Sequence, residues 1–265
     1  MQGKFGLDFA DGCGRLHLKG APFFVGDVLD KHHSTKELEP FSCFSDDVTF
    51  EIQDNLFEPG SWLHRPVKTV IDLLEDYKDQ EYLCVLDLGS GIGRNSIPIA
   101  ESMKNRRGKV ICVDLLESAI DKLHFYSQKF GVEQYIETRL SDIEQFSIEQ
   151  EEYDIIVAVS ALEHVSSERA LERKLNEMTF GTKTNGTNCI IIGSNIKEIN
   201  LENGQELDPM FEVNISTERM MELLDHQYAR WEVKNRFVKQ LEYEIDRNGQ
   251  PVKLTTDCIT FVAKK

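Results

Sequence analysis

The sequence predicts an α/β fold in which a mostly parallel sheet with helical crossovers ends in an antiparallel hairpin. Three observations predict it. An apolar run, Val85-Leu86-Asp87-Leu88, passes through an acid into Gly89-Ser90-Gly91-Ile92-Gly93 and then a helix-compatible segment. Short apolar runs then recur at the spacing of strand–helix–strand units, at Lys109 to Val113, Tyr135 to Arg139, Tyr153 to Val159 and Asn188 to Gly193. The chain closes with two long strand-like runs, Trp231 to Ile245 and Val252 to Ala263, joined across Asn248-Gly249, a strong hairpin signal.

At 265 residues, with 40% hydrophobic content, the chain can bury one sizeable core, and one α/β domain with additions is the expected organisation. Residues 1–60 do not follow the strand–helix rhythm and are read as an N-terminal extension, a lid or an interface; residues 61–265 are read as the main domain. Within the extension, Gly14 to Leu18 and Val48 to Ile52 alternate like strands, while His32-His33-Ser34-Thr35 reads as loop. Adjacent histidines rarely share one ion and no Cys/His/Asp cluster surrounds them, so no metal is expected.

Pro59-Gly60-Ser61-Trp62 marks a turn into a helix from about Leu63 to Tyr77, with Val67, Val70, Ile71 and Leu74 at helical spacing. The glycine turn follows the first strand. Glycine permits positive φ and close backbone approach, and the helix behind it presents unpaired N–H groups. A dinucleotide fingerprint has G-x-G-x-x-G; here the third glycine comes one residue early and Arg94 stands in its place. Asp87, two residues before the first glycine, suits a cationic ligand, because a carboxylate attracts an ammonium and repels a pyrophosphate.

Asp87, Gly89, Gly91 and Gly93 occupy the four fixed places of D/E-x-G-x-G-x-G, and this combination resembles motif I of the class I S-adenosylmethionine-dependent methyltransferases. The resemblance implies a Rossmann-like, seven-stranded, mostly parallel sheet with an antiparallel C-terminal hairpin strand, over roughly residues 62 to 265. It also implies S-adenosylmethionine as cofactor. Asp114 ends the second strand 21 positions beyond Gly93, the spacing of an acid that holds ribose hydroxyls, and looks like the motif II acid, followed by Leu115. Asp142 with Ile143, after the third strand, matches the family's adenine contact; Asp142 reads equally as a helix N-cap. Ser160-Ala161-Leu162-Glu163-His164-Val165, after the fourth strand, resembles the motif IV loop beside the methyl group.

The resemblance therefore implies that Asp87, Gly89, Ser90, Gly91, Gly93 and Asn95 hold the methionine portion, Asp114 and Leu115 the ribose side, Asp142 and Ile143 the adenine, with Ser160 near the methyl. Trp62 sits where several methyltransferases place an entry segment, and reads equally as a packing anchor. His164 is the candidate general base, since imidazole titrates near neutrality; the alternative is a histidine bonded within the first turn of the next helix. Gly93-Arg94-Asn95, Glu242-Tyr243-Glu244, Arg247-Asn248-Gly249 and the closing Phe261-Val262-Ala263-Lys264-Lys265 look like the tellurite-resistance type of small-molecule methyltransferase. Ser90 departs from it, where cysteine is usual.

Beyond that loop, a helix is expected around Glu168 to Met178, a polar loop over Ile196 to Phe211 that is a substrate lid or a plain surface loop, and a helix capped by Ser216. A formal charge of −16 opposes nonspecific nucleic-acid binding, and the one tight basic cluster, Lys104, Arg106 and Arg107, reads as a solvated helix end. The fourth strand is not followed by the Pro-Pro-Tyr or Pro-Cys of nucleic-acid methyltransferases. The expected partner is a small-molecule methyl acceptor. Six cysteines without metal-ligand spacing, an N-terminus without a signal-peptide pattern and no apolar run of ~20 residues predict a cytoplasmic protein that makes no membrane contact. An NAD-dependent oxidoreductase and a noncatalytic cofactor-binding regulator are the competing classes. The glycine spacing, Asp87 and the terminal hairpin count against the first.

Overall fold

In the computed structural model, residues 56–58, 63–247 and 249–265 are described. The expectations for residues 1–55, including His32 and His33, and for Trp62 lie outside the described residues. Seven strands form one row in the order β3-β2-β1-β4-β5-β8-β7. They are β1 (Tyr82–Leu88), β2 (Arg107–Asp114), β3 (Ile136–Leu140), β4 (Tyr153–Val159), β5 (Thr182–Asn200), β7 (Glu232–Arg247) and β8 (Gln250–Lys264). The first five pair in parallel, whereas β8 pairs antiparallel with both β5 and β7. A two-residue strand, β6 (Glu206–Leu207), adds antiparallel to the outer end of β5.

Burial on both faces makes the central strands apolar without interruption. In β4 all seven residues are buried, and in β1 only Tyr82 is exposed. The pleat sends alternate side chains to opposite layers. Leu83 and Val85 join the core under helices α1 (Lys68–Leu74), α2 (Ser96–Glu101) and α3 (Glu117–Lys129). Cys84, Leu86 and Leu88 join the core under α4 (Glu168–Gly181) and α5 (Thr217–Gln227). The four cysteines among the described residues, Cys84, Cys112, Cys189 and Cys258, are free and buried, as expected of small core residues. No described helix is long and apolar enough to cross a membrane.

Two segments differ from the sequence expectation. The helix before β1 starts at Lys68, five residues later than expected, and its last turn, Glu75–Tyr77, is a 3-10 helix. Pro66 disfavours helical backbone at Arg65, and the Val67 N–H is taken by the Asn95 side-chain oxygen at 3.1 Å, which fixes Val67 as an extended N-cap. The second difference is larger. The segment from Ile196, expected as polar loop, continues β5 to Asn200 after a bulge between Ser194 and Lys197. Its polar residues have partners: Lys197 to Asn200 register with Thr255 to Val252 of β8, and the buried Glu198 carboxylate pairs with the Arg247 guanidinium at 2.7 and 3.2 Å.

Both α4 and α5 are capped at their N-termini, the second by the residue the sequence predicts. Ser216 accepts from the Arg219 N–H and Ser167 from the Ala170 N–H, both at 3.2 Å. The long β5, β8 and β7 thus extend past the parallel strands as an arm with its own small core of Ile196, Phe211, Ile245, Val252 and Leu254. Because the Glu198–Arg247 pair is buried in this arm, removing one partner strands the other charge. Glu198→Ala is expected to destabilise the protein by about 3–5 kcal/mol, read as a lowered denaturation midpoint.

Candidate cofactor site

The turns at the carboxyl ends of β1, β2, β3 and β4 carry the described residues singled out in the sequence. Beyond Leu88 the chain turns through Gly89 and Gly91, both with positive φ, +73° and +53°. The N–H groups of Gly89 and Ser90 donate to the Val113 carbonyl at 2.8 and 3.0 Å, so the turn is tied to the end of β2. A side chain at Gly89 would place a carbon 2.5 Å from Cβ of Ala161 in the loop after β4. Gly91 faces open space. Gly93 instead packs closely on Leu123 and Ile97, which holds α2 and α3 together.

Asp114 bridges the turn and the next helix. Its Oδ2 accepts from the Gly91 N–H at 2.8 Å and its Oδ1 from the Leu116 N–H at 3.0 Å. Burial pushes its carboxyl above the usual range, against the pull of these N–H donors. Beside it Leu115 is 58% exposed, an apolar side chain left at the strand edge. Asp87 lies 1% exposed below the turn, with Ser96 donating to its Oδ2 at 2.5 Å. Burial raises its carboxyl to about 6; the Ser96 bond opposes the rise and the Asp114 charge adds to it.

After β3, Asp142 Oδ1 accepts from the Glu144 N–H at 2.8 Å and its carbonyl from the N–H groups of Gln145 and Phe146, so it starts a turn, while Ile143 packs into the core. After β4, Ser160 has a φ of +50° and donates its N–H to the Ile191 carbonyl at 2.8 Å. Glu163 and His164 follow in a 3-10 turn, Leu162–His164. Glu163 is fully buried; its Oε1 meets the Gly193 N–H at 3.4 Å, its Oε2 has no hydrogen-bond partner, and burial drives its carboxyl upward. His164 Nδ1 lies 3.2 Å from Glu212 Oε2, its ring stacks on Phe211, and Nε2 is buried without a partner.

Of the remaining residues, Asn95 is committed through its carboxamide oxygen to the Val67 N–H. The Ser90 hydroxyl is buried without a partner. Sequence reasoning missed three residues. Ser96, on the first turn of α2, anchors Asp87, and its type and place three residues past Gly93 were a usable signal. Glu212 and Phe211 were not legible: they fall in a segment with several acids and no spacing rule, and only folding sets them against His164.

Residues 85–186 match the methyltransferase domain family. Among solved structures, the fold is similar to TehB from Haemophilus influenzae, with 24% identity, 74% of this chain and 61% of that chain covered, and a TM-score of 0.53. This chain thus matches less than two thirds of the length of TehB. The fold is also similar to YcgJ from Bacillus subtilis, at 15% identity, 74% and 98% coverage and TM-score 0.51. A third is an S-adenosylmethionine-dependent methyltransferase from Methanosarcina mazei, at 17%, 72% and 96%, and TM-score 0.52. At these identities the structural likeness concerns the fold.

The family match and the fold agree over residues 85–186, the stretch that carries β1 to β4 and the Gly89–Gly93 turn. The residues present fit the S-adenosylmethionine that the glycine motif implies: an orphaned Ser90 hydroxyl, open space at Gly91 and two acids, Asp87 and Asp114, with no cationic side chain bonded to them among the described residues are what a cationic nucleoside would complete. Gly89 lies against Ala161 with no room for a side chain between the turn and the loop after β4. Gly89→Ala should destabilise the fold by about 1–3 kcal/mol, and an unchanged urea midpoint would show that the two loops can separate freely.

Proposed function

We propose that this protein transfers the methyl group of S-adenosylmethionine to a small-molecule acceptor by in-line displacement, within a catalytic domain of residues 61–265 to which residues 1–60 are an extension. The cofactor supplies a methyl already activated by its positive sulfur, so no covalent protein intermediate is needed. The chain's residues bind, align and exclude water. In this reading Asp87, the Gly89–Gly93 turn and the Ser90 hydroxyl hold the methionine portion, and Asn95 supports them by holding α1 in place. Asp114 and Leu115 serve the ribose side, Asp142 and Ile143 the adenine, and Ser160 the approach to the methyl. Trp62 is assigned to the entry, and His164 takes a proton from the acceptor where one must leave.

The observation that carries the small-molecule reading is the side chain stacked on the candidate base. Phe211 lies 5.3 Å from the His164 ring at an interplanar angle of 26°, on a segment held to the loop after β4 by the Val213 N–H to Glu163 carbonyl bond of 3.0 Å. A ring stacked on the candidate base leaves less room for a polymer than for a small acceptor, and the charge of −16 points the same way. Release of S-adenosylhomocysteine with small hydroxyl, thiol or amine compounds supports the reading; release with RNA and with none of these rejects it.

Two binding experiments test the residue roles. Asp114→Ala should weaken S-adenosylhomocysteine binding at least ~10-fold, the ~1.4 kcal/mol of a lost charged acceptor, and unchanged affinity in a folded variant removes Asp114 from the site. The second concerns pH. Because Asp87 ionises only above about 6 in the folded chain, an ammonium meets a full carboxylate above that value and a neutral acid below it. Affinity should therefore be greatest above pH 6 and fall by up to ~10-fold per pH unit below it, with proton release on binding near pH 6. Calorimetry from pH 5 to 8 reads both, and a flat profile would separate Asp87 from the ligand.

A further inference from the structure

We infer that Glu212 is a positioning residue that holds His164 with its ring proton on Nδ1, so that the Nε2 lone pair faces a neutral hydroxyl acceptor rather than an oxyanion. The inference rests on the methyltransferase reading and names the acceptor class of that same site.

The geometry is specific. Glu212 Oε2 stands 3.2 Å from Nδ1, and a carboxylate can only accept there, so the neutral ring carries its proton on Nδ1 and leaves Nε2 as a proton acceptor. Both side chains are largely shielded, 26% and 20% exposed, which lets the bond hold against water. Phe211 fixes the ring plane from one side. The segment that carries Glu212 is anchored on both flanks. The Val213 N–H binds the Glu163 carbonyl, the Asn195 N–H binds the Ile215 carbonyl at 2.9 Å, and the Asn214 side chain exchanges two 2.8 Å bonds with the backbone of Ile196.

A buried ring nitrogen without a partner is a place for a donor. The charged groups that face the ring are Glu163, its neighbour in the 3-10 turn, and Glu212, on the crossing segment. Burial depresses the imidazolium, but the Glu212 bond and the two carboxylate charges outweigh it and raise His164 above its ordinary value. A developing imidazolium is therefore stabilised, while an anionic acceptor would be placed beside two carboxylates. With a hydroxyl acceptor the accounting closes. The proton passes from the oxygen to Nε2, an oxygen electron pair forms the new C–O bond, and the C–S electron pair leaves on sulfur as a neutral thioether. The imidazolium returns its proton to solvent after product leaves.

Long-range nitrogen–proton correlation spectra of the full chain, free and saturated with S-adenosylhomocysteine, report the ring directly. The neutral form of His164 should show a protonated Nδ1 and a bare Nε2; a protonated Nε2 overturns the inference. Glu212→Gln should lower the His164 titration midpoint, and an unmoved midpoint also overturns it. If that variant does not fold, the wild-type tautomer alone decides. Failure of S-adenosylhomocysteine to bind would reject the methyltransferase reading and leave the pairing to the free-chain spectrum. Incubation with S-adenosylmethionine and sodium tellurite should release no S-adenosylhomocysteine above background, and release with tellurite would refute the hydroxyl assignment.

Discussion

The hydrogen bond from the Gly91 N–H to the Asp114 carboxylate is the constraint on which the site depends. It joins the turn after the first strand to the end of the second, at a glycine whose φ of +53° lies in the region that glycine enters without cost. The same carboxylate holds the Leu116 N–H at the start of α3. One side chain thus sets the relative positions of a glycine turn, a strand end and a helix start. The two bonds from the turn to the Val113 carbonyl reinforce that position, and the Gly89 contact with Ala161 extends it to the loop carrying Glu163 and His164.

The electrostatics of that edge follow from burial. Asp87, Asp114 and Glu163 all have carboxyls raised above the ordinary range, in each case chiefly by desolvation, and none has a cationic side chain bonded to it among the described residues. Buried acids left without a cation are an unfavourable arrangement in isolation. They become favourable when a positively charged ligand arrives, because the low dielectric that penalises the lone carboxylate also strengthens its attraction to the ligand. A sulfonium and an ammonium on one molecule meet that need, whereas a pyrophosphate would worsen it. The antiparallel β8 between β5 and β7 separates this sheet from a plain dinucleotide-binding one on the same grounds of architecture.

The proposed acceptor side is built differently, by the arm rather than by the parallel sheet. The length of β8 allows β5 to run on past its apolar part, the buried Glu198–Arg247 pair fastens the outer ends, and the returning chain places Phe211 and Glu212 over the loop after β4. The proposed cofactor side is thus made by turns at the strand ends, and the proposed acceptor side by the segment that the arm returns over the loop after β4.

The sequence by itself determined the sheet, its closing hairpin and the motif around Asp87, Gly89, Gly91 and Gly93, because each is written in local periodicity or in a fixed spacing of residues close along the chain. It also marked Asp114, whose distance from the turn reflects one strand–helix–strand unit. Only the tertiary structure decided that Asn95 serves the start of α1, that residues after Ile196 are strand, and that Glu212 meets His164. The physical reason is the same for all three. A polar residue's partner is chosen by whichever group folding brings within about 3 Å, and the polar stretch after Ile196 becomes strand because β8 supplies its backbone partners, which no local propensity encodes.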